Sequence, residues 1–228
     1  MQRLFQWFVG FAAIVFSSAP LFAAEPNPAE ELVILNRVLA SKEMSVFGVY
    51  GHASIRSKSN PNRFYIASNI APGLVTAKDI YESDLDGQPA GGARGNLLEE
   101  RFLHAEIYRA RPEVGAVALI HTPELAAFSV SSVALPLGRN RVPVFDIRKA
   151  DGGASGMVNN PAAGRALAQA LEKNNAMLVF GQGAVAVARS SRDLVTTALT
   201  LRTNAETRMF DLGLGGATTS LAFTREKA

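Results

Sequence analysis

The chain has 228 residues, 48% hydrophobic and 19% charged, the balance of an ordinary globular domain and enough for one of generous size. Its formal net charge is only +3 and its Lys and Arg are scattered, so the basic face or stripe of a nucleic-acid binder is missing from the sequence. The absence of cysteine excludes disulfides, Cys-ligated zinc and thiol nucleophiles, and it suits an oxidising compartment.

The first residues read as a secretory signal peptide spanning 1–24. Arg3 gives the positive start, Phe8 to Phe16 form the apolar run, and Ala23 and Ala24 supply small residues ahead of Glu25-Pro26. An uncleaved anchor is the alternative, since Leu4 to Ala24 has the length to just cross a bilayer. The remaining domain, 25–228, is expected to be periplasmic or secreted, with no stable membrane insertion after cleavage.

Asn27-Pro28 followed by Glu30-Glu31 is a helix start, and Leu32, Leu35, Val38 and Leu39 continue it at helical spacing. Tyr50 to Arg56 reads as a loop entering a strand. Ser57 to Asn62 reads as a turn before a strand at Phe64 to Ala67, and Asp84 to Pro89 has hairpin chemistry. The spacing predicts a helix over Leu97 to Arg109. Val114 to Ile120 is an almost continuous apolar run, the mark of a strand covered on both faces. A helix over Glu124 to Ser129 follows, then one over Pro161 to Lys173. Short strands are expected at Ala176 to Phe180 and Ala184 to Ala188, a long helix at Arg192 to Leu212, and an edge strand at Thr218 to Thr224. Strands and helices mixed along the whole length predict one layered α/β domain. Gly91 to Gly95 lacks the strand-to-helix setting of a nucleotide fingerprint and reads as a loop.

The chain has three histidines, His52, His104 and His121, and their neighbours give them meaning. Leu98-Glu99-Glu100-Arg101-Phe102-Leu103-His104 leads through Tyr108 and Arg111-Pro112-Glu113-Val114 to Leu119-Ile120-His121-Thr122-Pro123. Gly51-His52-Ala53-Ser54-Ile55-Arg56, Ala71-Pro72-Gly73, Val142-Pro143-Val144-Phe145-Asp146 and Gly181-Gln182-Gly183 stand in supporting order. Together these segments resemble the class II aldolase/adducin family over most of the chain beyond residue 24.

The resemblance implies a three-layer α/β/α fold with a central mixed, largely antiparallel sheet. It also implies a divalent metal, usually zinc, held by three imidazoles, which stabilises an enediolate as a Lewis acid while a glutamate handles protons. Carried onto this sequence, Glu100 takes the acid/base position and His121 is the one retained ligand. Leu119 and Gln182 stand where the other two histidines belong. Leucine offers no lone pair and a glutamine amide is a poor zinc donor, so the expected metal binding is weak or absent. His52, Ser54, His104 and Asp146 are candidates to line the site, with Arg148 and Lys149 nearby. Gly51, Ser68 and Asn69 sit where sugar-phosphate relatives bind phosphate, although serine in a turn is usually turn chemistry.

These replacements imply a non-catalytic binding or assembly module, a use to which the adducin head domain puts the fold. The alternative is a divalent-metal-dependent aldehyde-lyase or decarboxylase acting on a hydroxy-carbonyl or sugar-like compound. A homo-oligomer is the further expectation carried by the resemblance. Export and cleavage can be checked directly: N-terminal sequencing of the exported protein is expected to begin at Ala24 or Glu25, and a membrane-bound chain beginning at Met1 would overturn this.

Overall fold

Asn27 accepts a hydrogen bond from the Ala29 N–H and opens helix α1 (Pro28–Leu39), with Pro28 in the first turn. In the computed structural model, residues 27–41, 50–92, 95–150 and 156–215 are described. The expected signal segment 1–24 and the expected edge strand at 218–224 lie outside them, as do residues 93–94 of the glycine-rich loop.

Strands β1 (His52–Arg56), β2 (Arg63–Ala67) and β3 (Ile80–Asp84) form an antiparallel meander. The turn leaving β3 is tied by Asp84 Oδ1, which accepts from the Asp86 and Gln88 N–H groups. Helix α2 (Arg101–Ala110) leads into β4 (Ala116–Ile120) and α3 (Pro123–Val130). A small hairpin of β5 (Pro136–Leu137) and β6 (Asn140–Arg141) precedes β7 (Val144–Phe145) and the single turn α4 (Ile147–Ala150). The chain continues through α5 (Pro161–Leu171), β8 (Ala176–Val179), β9 (Gly183–Ala188) and the long α6 (Ser191–Gly213).

Seven strands make one sheet in the order β3-β2-β1-β4-β9-β8-β7. All neighbours are antiparallel except β7 and β8, so the sheet is mixed and largely antiparallel. Helices α1, α3 and α6 cover one face, where Leu32, Leu125 and Leu201 meet Ala53, Ala118 and Ala186. Helices α2 and α5 cover the other, where Leu103, Ile107 and Leu167 meet Val117, Leu119 and Val185. The result is the three-layer α/β/α architecture. Every residue of the central strand β4 is buried, because both of its faces are roofed by helices.

One helix start moves by four residues from the sequence expectation. The helix expected from Leu97 begins at Arg101, with Glu100 at its N-cap, so residues 97–100 form the approach and not the first turn. The two-residue strands and α4 were not expected, since elements this short carry no periodicity. Among the described residues, no helix is long and apolar enough to cross a membrane.

Helices α2 and α5 approach closely at Gly164. A Cβ there would lie 2.6 Å from the Phe102 carbonyl oxygen and 3.0 Å from Glu106 Cγ. Alanine improves helix propensity by about 1 kcal/mol, while overpacking against backbone costs about 1–3 kcal/mol, so the clash wins. Gly164→Ala is therefore expected to lower stability by about 1–2 kcal/mol in chemical denaturation. An unchanged or higher midpoint would show that the helices separate without cost.

Candidate active site

Strand β1 turns His52, Ser54 and Arg56 towards α2, while the alternate residues Ala53 and Ile55 face the other helical layer. Helix α2 meets them with Glu100, His104 and Tyr108, spaced four apart and so stacked along one face. His52 Nε2 lies 3.0 Å from Glu100 Oε2, and His52 Nδ1 lies 2.7 Å from His104 Nε2. Ser54 Oγ lies 2.7 Å from His104 Nδ1 and 2.9 Å from the Tyr108 hydroxyl. Arg56 completes the row by donating to the carbonyls of Tyr108 and Arg111, and its guanidinium stacks over the Tyr108 ring. All of these side chains except Arg56 are buried.

Burial works to raise the Glu100 carboxyl, but the His52 hydrogen bond and the charges of His52 and His121 outweigh it. The carboxyl is held below its ordinary value. Burial, followed by the charge of His52, pushes His104 well below the usual histidine range. Tyr108 is pushed up, chiefly by burial. His121 stands just past the end of β4 and is also lowered, first by burial and then by His52, against the opposing charge of Glu100. These mutual effects place Glu100, His52 and His121 within electrostatic reach of one another.

His121 is oriented by backbone. Its Nδ1–H donates to the Gln182 carbonyl at 2.7 Å, which leaves the Nε2 lone pair uncommitted by that bond. Glycine shapes the loop that presents this carbonyl. Gly183 has φ +144°, and a Cβ there would lie 2.1 Å from the Ile120 carbonyl oxygen.

Leu119 is paired across the strands with His52 and is buried among apolar side chains of the α2 layer. The Gln182 side chain donates from Nε2 to the Gly156 carbonyl, and its Oε1 is buried without a hydrogen-bond partner. These positions give the fit test for the implied ion. Leu119 has no donor, both His52 nitrogens face partners, and a single amide oxygen is a poor substitute for an imidazole. Among the described residues, no three His, Asp or Glu side chains converge as a cation cage. The residues present do not fit a three-imidazole metal.

Other candidates sit apart or have local work. The Asp146 carboxylate receives two hydrogen bonds from Arg148, whose guanidinium stacks on Phe180. Ser68 donates to the Asp79 carbonyl, and Asn69 exchanges hydrogen bonds with Asn96. Their polar groups therefore serve the turns that carry them. Sequence reasoning missed Tyr108 and Arg56. The signal was present as polar residues at every second position of β1 and every fourth position from Glu100, a pattern more often read as a solvated face.

The family model for the class II aldolase and adducin N-terminal domain matches residues 30–209. A 3,4-dihydroxyphthalate decarboxylase from Arthrobacter keyseri is 30% identical over 204 residues, covering 82% of this chain and 80% of that protein. Decarboxylase tropJ from Talaromyces stipitatus is 28% identical over 193 residues, covering 75% and 72%. Among solved structures, L-fuculose 1-phosphate aldolase from Glaciozyma antarctica superposes with a TM-score of 0.63 at 21% identity, over 82% of this chain and 74% of that one. The L-fuculose-1-phosphate aldolase from Thermus thermophilus gives 0.64 at 20% identity, over 83% and 97%. These structures share the fold, and the match of the family model over most of the chain settles its kinship: the protein belongs to the class II aldolase/adducin family.

Proposed function

We propose that the chain is a carbon–carbon lyase of the decarboxylase kind, acting on a carboxylate whose neighbouring hydroxyl or carbonyl can accept the electron pair of the broken bond. The observation that carries this reading is a buried Glu100 carboxylate hydrogen-bonded to His52 and held below its ordinary range, with His121 near enough to feel its charge and with the His121 Nε2 not used by the bond to Gln182. Burying a carboxylate is costly unless it is hydrogen-bonded, and a merely structural core is better served by apolar side chains. The two decarboxylases similar to this chain over three quarters or more of its length support the same reading.

The chemistry required is R–CO2⁻ + H⁺ → R–H + CO2. His121 Nε2 takes the proton of the substrate hydroxyl, which drives electron density towards the carbon that bears the carboxylate. The same proton is delivered to that carbon as the bond to CO2 breaks, and solvent water supplies the H⁺ that restores the hydroxyl, while the ionised Glu100 accepts from His52. No step in this scheme is routed through a metal ion, because the donor set does not fit one.

Leu119 and Gln182 favour a second reading, in which the domain binds a hydroxy-carbonyl compound without turning it over. CO2 release from 3,4-dihydroxyphthalate and related hydroxyaryl carboxylates separates the two. Turnover that falls about 10²–10⁴-fold in Glu100→Gln and in His121→Asn is the expected result. Calorimetric binding of these compounds with no CO2 released establishes the second reading instead.

The donor set can be tested by restoring it. Leu119→His with Gln182→His is expected to raise zinc affinity by far more than the ~10–100-fold typical of an outer-sphere partner, and either single change by much less. A folded double variant that binds zinc no better than the parent, by isothermal titration, would show that residues 119 and 182 do not occupy ligand positions.

A further inference from the structure

We infer that Tyr108, Ser54 and His104 form a one-way hydrogen-bond chain that fixes His52 as an Nε2–H donor to Glu100, which makes all three positioning residues for that carboxylate. The consequence for catalysis rests on the proposed lyase reading; the direction of the chain does not.

The direction follows from counting protons along consecutive contacts. An ionised Glu100 carboxylate only accepts, so His52 Nε2, at 3.0 Å, carries hydrogen. A neutral imidazole has one N–H, which leaves His52 Nδ1 as a lone pair. His104 Nε2, 2.7 Å away, must then be the donor. His104 is fully buried and held neutral, so its Nδ1 is a lone pair in turn and accepts the Ser54 hydroxyl proton at 2.7 Å. The Ser54 oxygen is thereby free to accept from the Tyr108 O–H at 2.9 Å. Each inner member gives one proton and receives one.

The reverse direction fails at the Tyr108 end. If His52 gained a second proton, its Nδ1–H would face His104 Nε2, and His104 and Ser54 would have to turn over in sequence. Tyr108 would then accept from Ser54, and its own buried O–H would lose the Ser54 oxygen as acceptor, a costly outcome. The phenol thus favours the direction that ends on Glu100, which accepts the His52 Nε2–H. The other end of the cluster has the opposite polarity. His121 is held as the Nδ1–H tautomer by the Gln182 carbonyl, while His52 and His104 are held as Nε2–H tautomers.

The protein has only three histidines, so nitrogen-15 NMR of the imidazoles resolves and assigns each ring. The expected spectrum at neutral pH shows His52 and His104 neutral with hydrogen on Nε2, and His121 with hydrogen on Nδ1. A cationic His52, or His104 with hydrogen on Nδ1, would overturn the inference, and the parent protein alone suffices for that test. Ser54→Ala, which leaves His104 Nδ1 without a donor, is expected to keep hydrogen on His104 Nε2, since His52 Nδ1 still accepts it, and to move the His104 Nδ1 resonance to that of an unbonded lone pair. Tyr108→Phe is expected to produce a partial shift, and Ser54→Thr, which keeps a hydroxyl, to restore the parental pattern. A His104 Nδ1 resonance unmoved in folded Ser54→Ala would also count against the chain. If the protein turns over a hydroxyaryl carboxylate, Ser54→Ala is expected to lower kcat about tenfold or more with KM little changed. The parental tautomers without turnover would leave the chain standing and remove the lyase reading, whereas turnover without those tautomers would do the reverse.

Discussion

The site depends on a match between two repeat lengths. Alternate residues of a strand are about 6.6–6.8 Å apart, and every fourth residue of a helix rises about 6 Å. Strand β1 and helix α2 lie so that these repeats run together: His52 meets Glu100 and His104, Ser54 meets His104 and Tyr108, and Arg56 meets the Tyr108 and Arg111 carbonyls. A row of polar groups buried between a sheet and a helix is stable only when each finds a partner. Here the register supplies partners in series, and Arg56 anchors the far end by satisfying carbonyls at the C-terminus of α2 that the helix cannot satisfy itself.

That register also explains why the cluster keeps its shape beside an apolar replacement. Leu119 is the cross-strand neighbour of His52 and shares the face on which the polar row lies. A leucine there extends the apolar layer formed with Val117 and Val185 to the edge of the histidines. It offers the site no donor and lowers the local dielectric beside His52. In such a setting the surviving hydrogen bonds to the carboxylate count for more, and an uncompensated charge costs more. The apolar wall at Leu119 therefore strengthens the polar contacts beside it.

Much of the architecture could be read from the sequence. The almost continuous apolar stretch from Val114 marked a strand roofed on both faces, and the capped start at Asn27 and the Ala/Leu-rich run from Pro161 marked helices. The resemblance carried the sheet type, which periodicity could not have supplied. Less legible were β7, β5 and β6, because two residues give no alternation to detect. Glu100, His104 and His52 were visible as chemistry-bearing residues, but their serial linkage was not, since it depends on how α2 docks on β1. Tyr108 went unnoticed because an aromatic at helical spacing reads as core, which it also is. Asp146 looked like a site residue from its neighbours, whereas its carboxylate is held by Arg148 two positions on.

His121 keeps its orientation independently of the side chain at residue 182, and the reason lies in which atoms hold it. Its partner is the backbone carbonyl of Gln182 and not the side chain, so the contact does not depend on what residue 182 is. The carbonyl is aimed by the turn through Gly181 and Gly183, both at positive φ, and the Gly183 Cα sits too close to the Ile120 carbonyl to admit a side chain. Backbone geometry and glycine therefore fix the imidazole, while the side chain at 182 is free to turn elsewhere, as it does towards Gly156. The side chain at 182 can therefore vary without disturbing the histidine that its carbonyl holds. Whatever residue stands at 182, the imidazole at 121 is held by the same backbone atom, and the loop keeps its form through glycine.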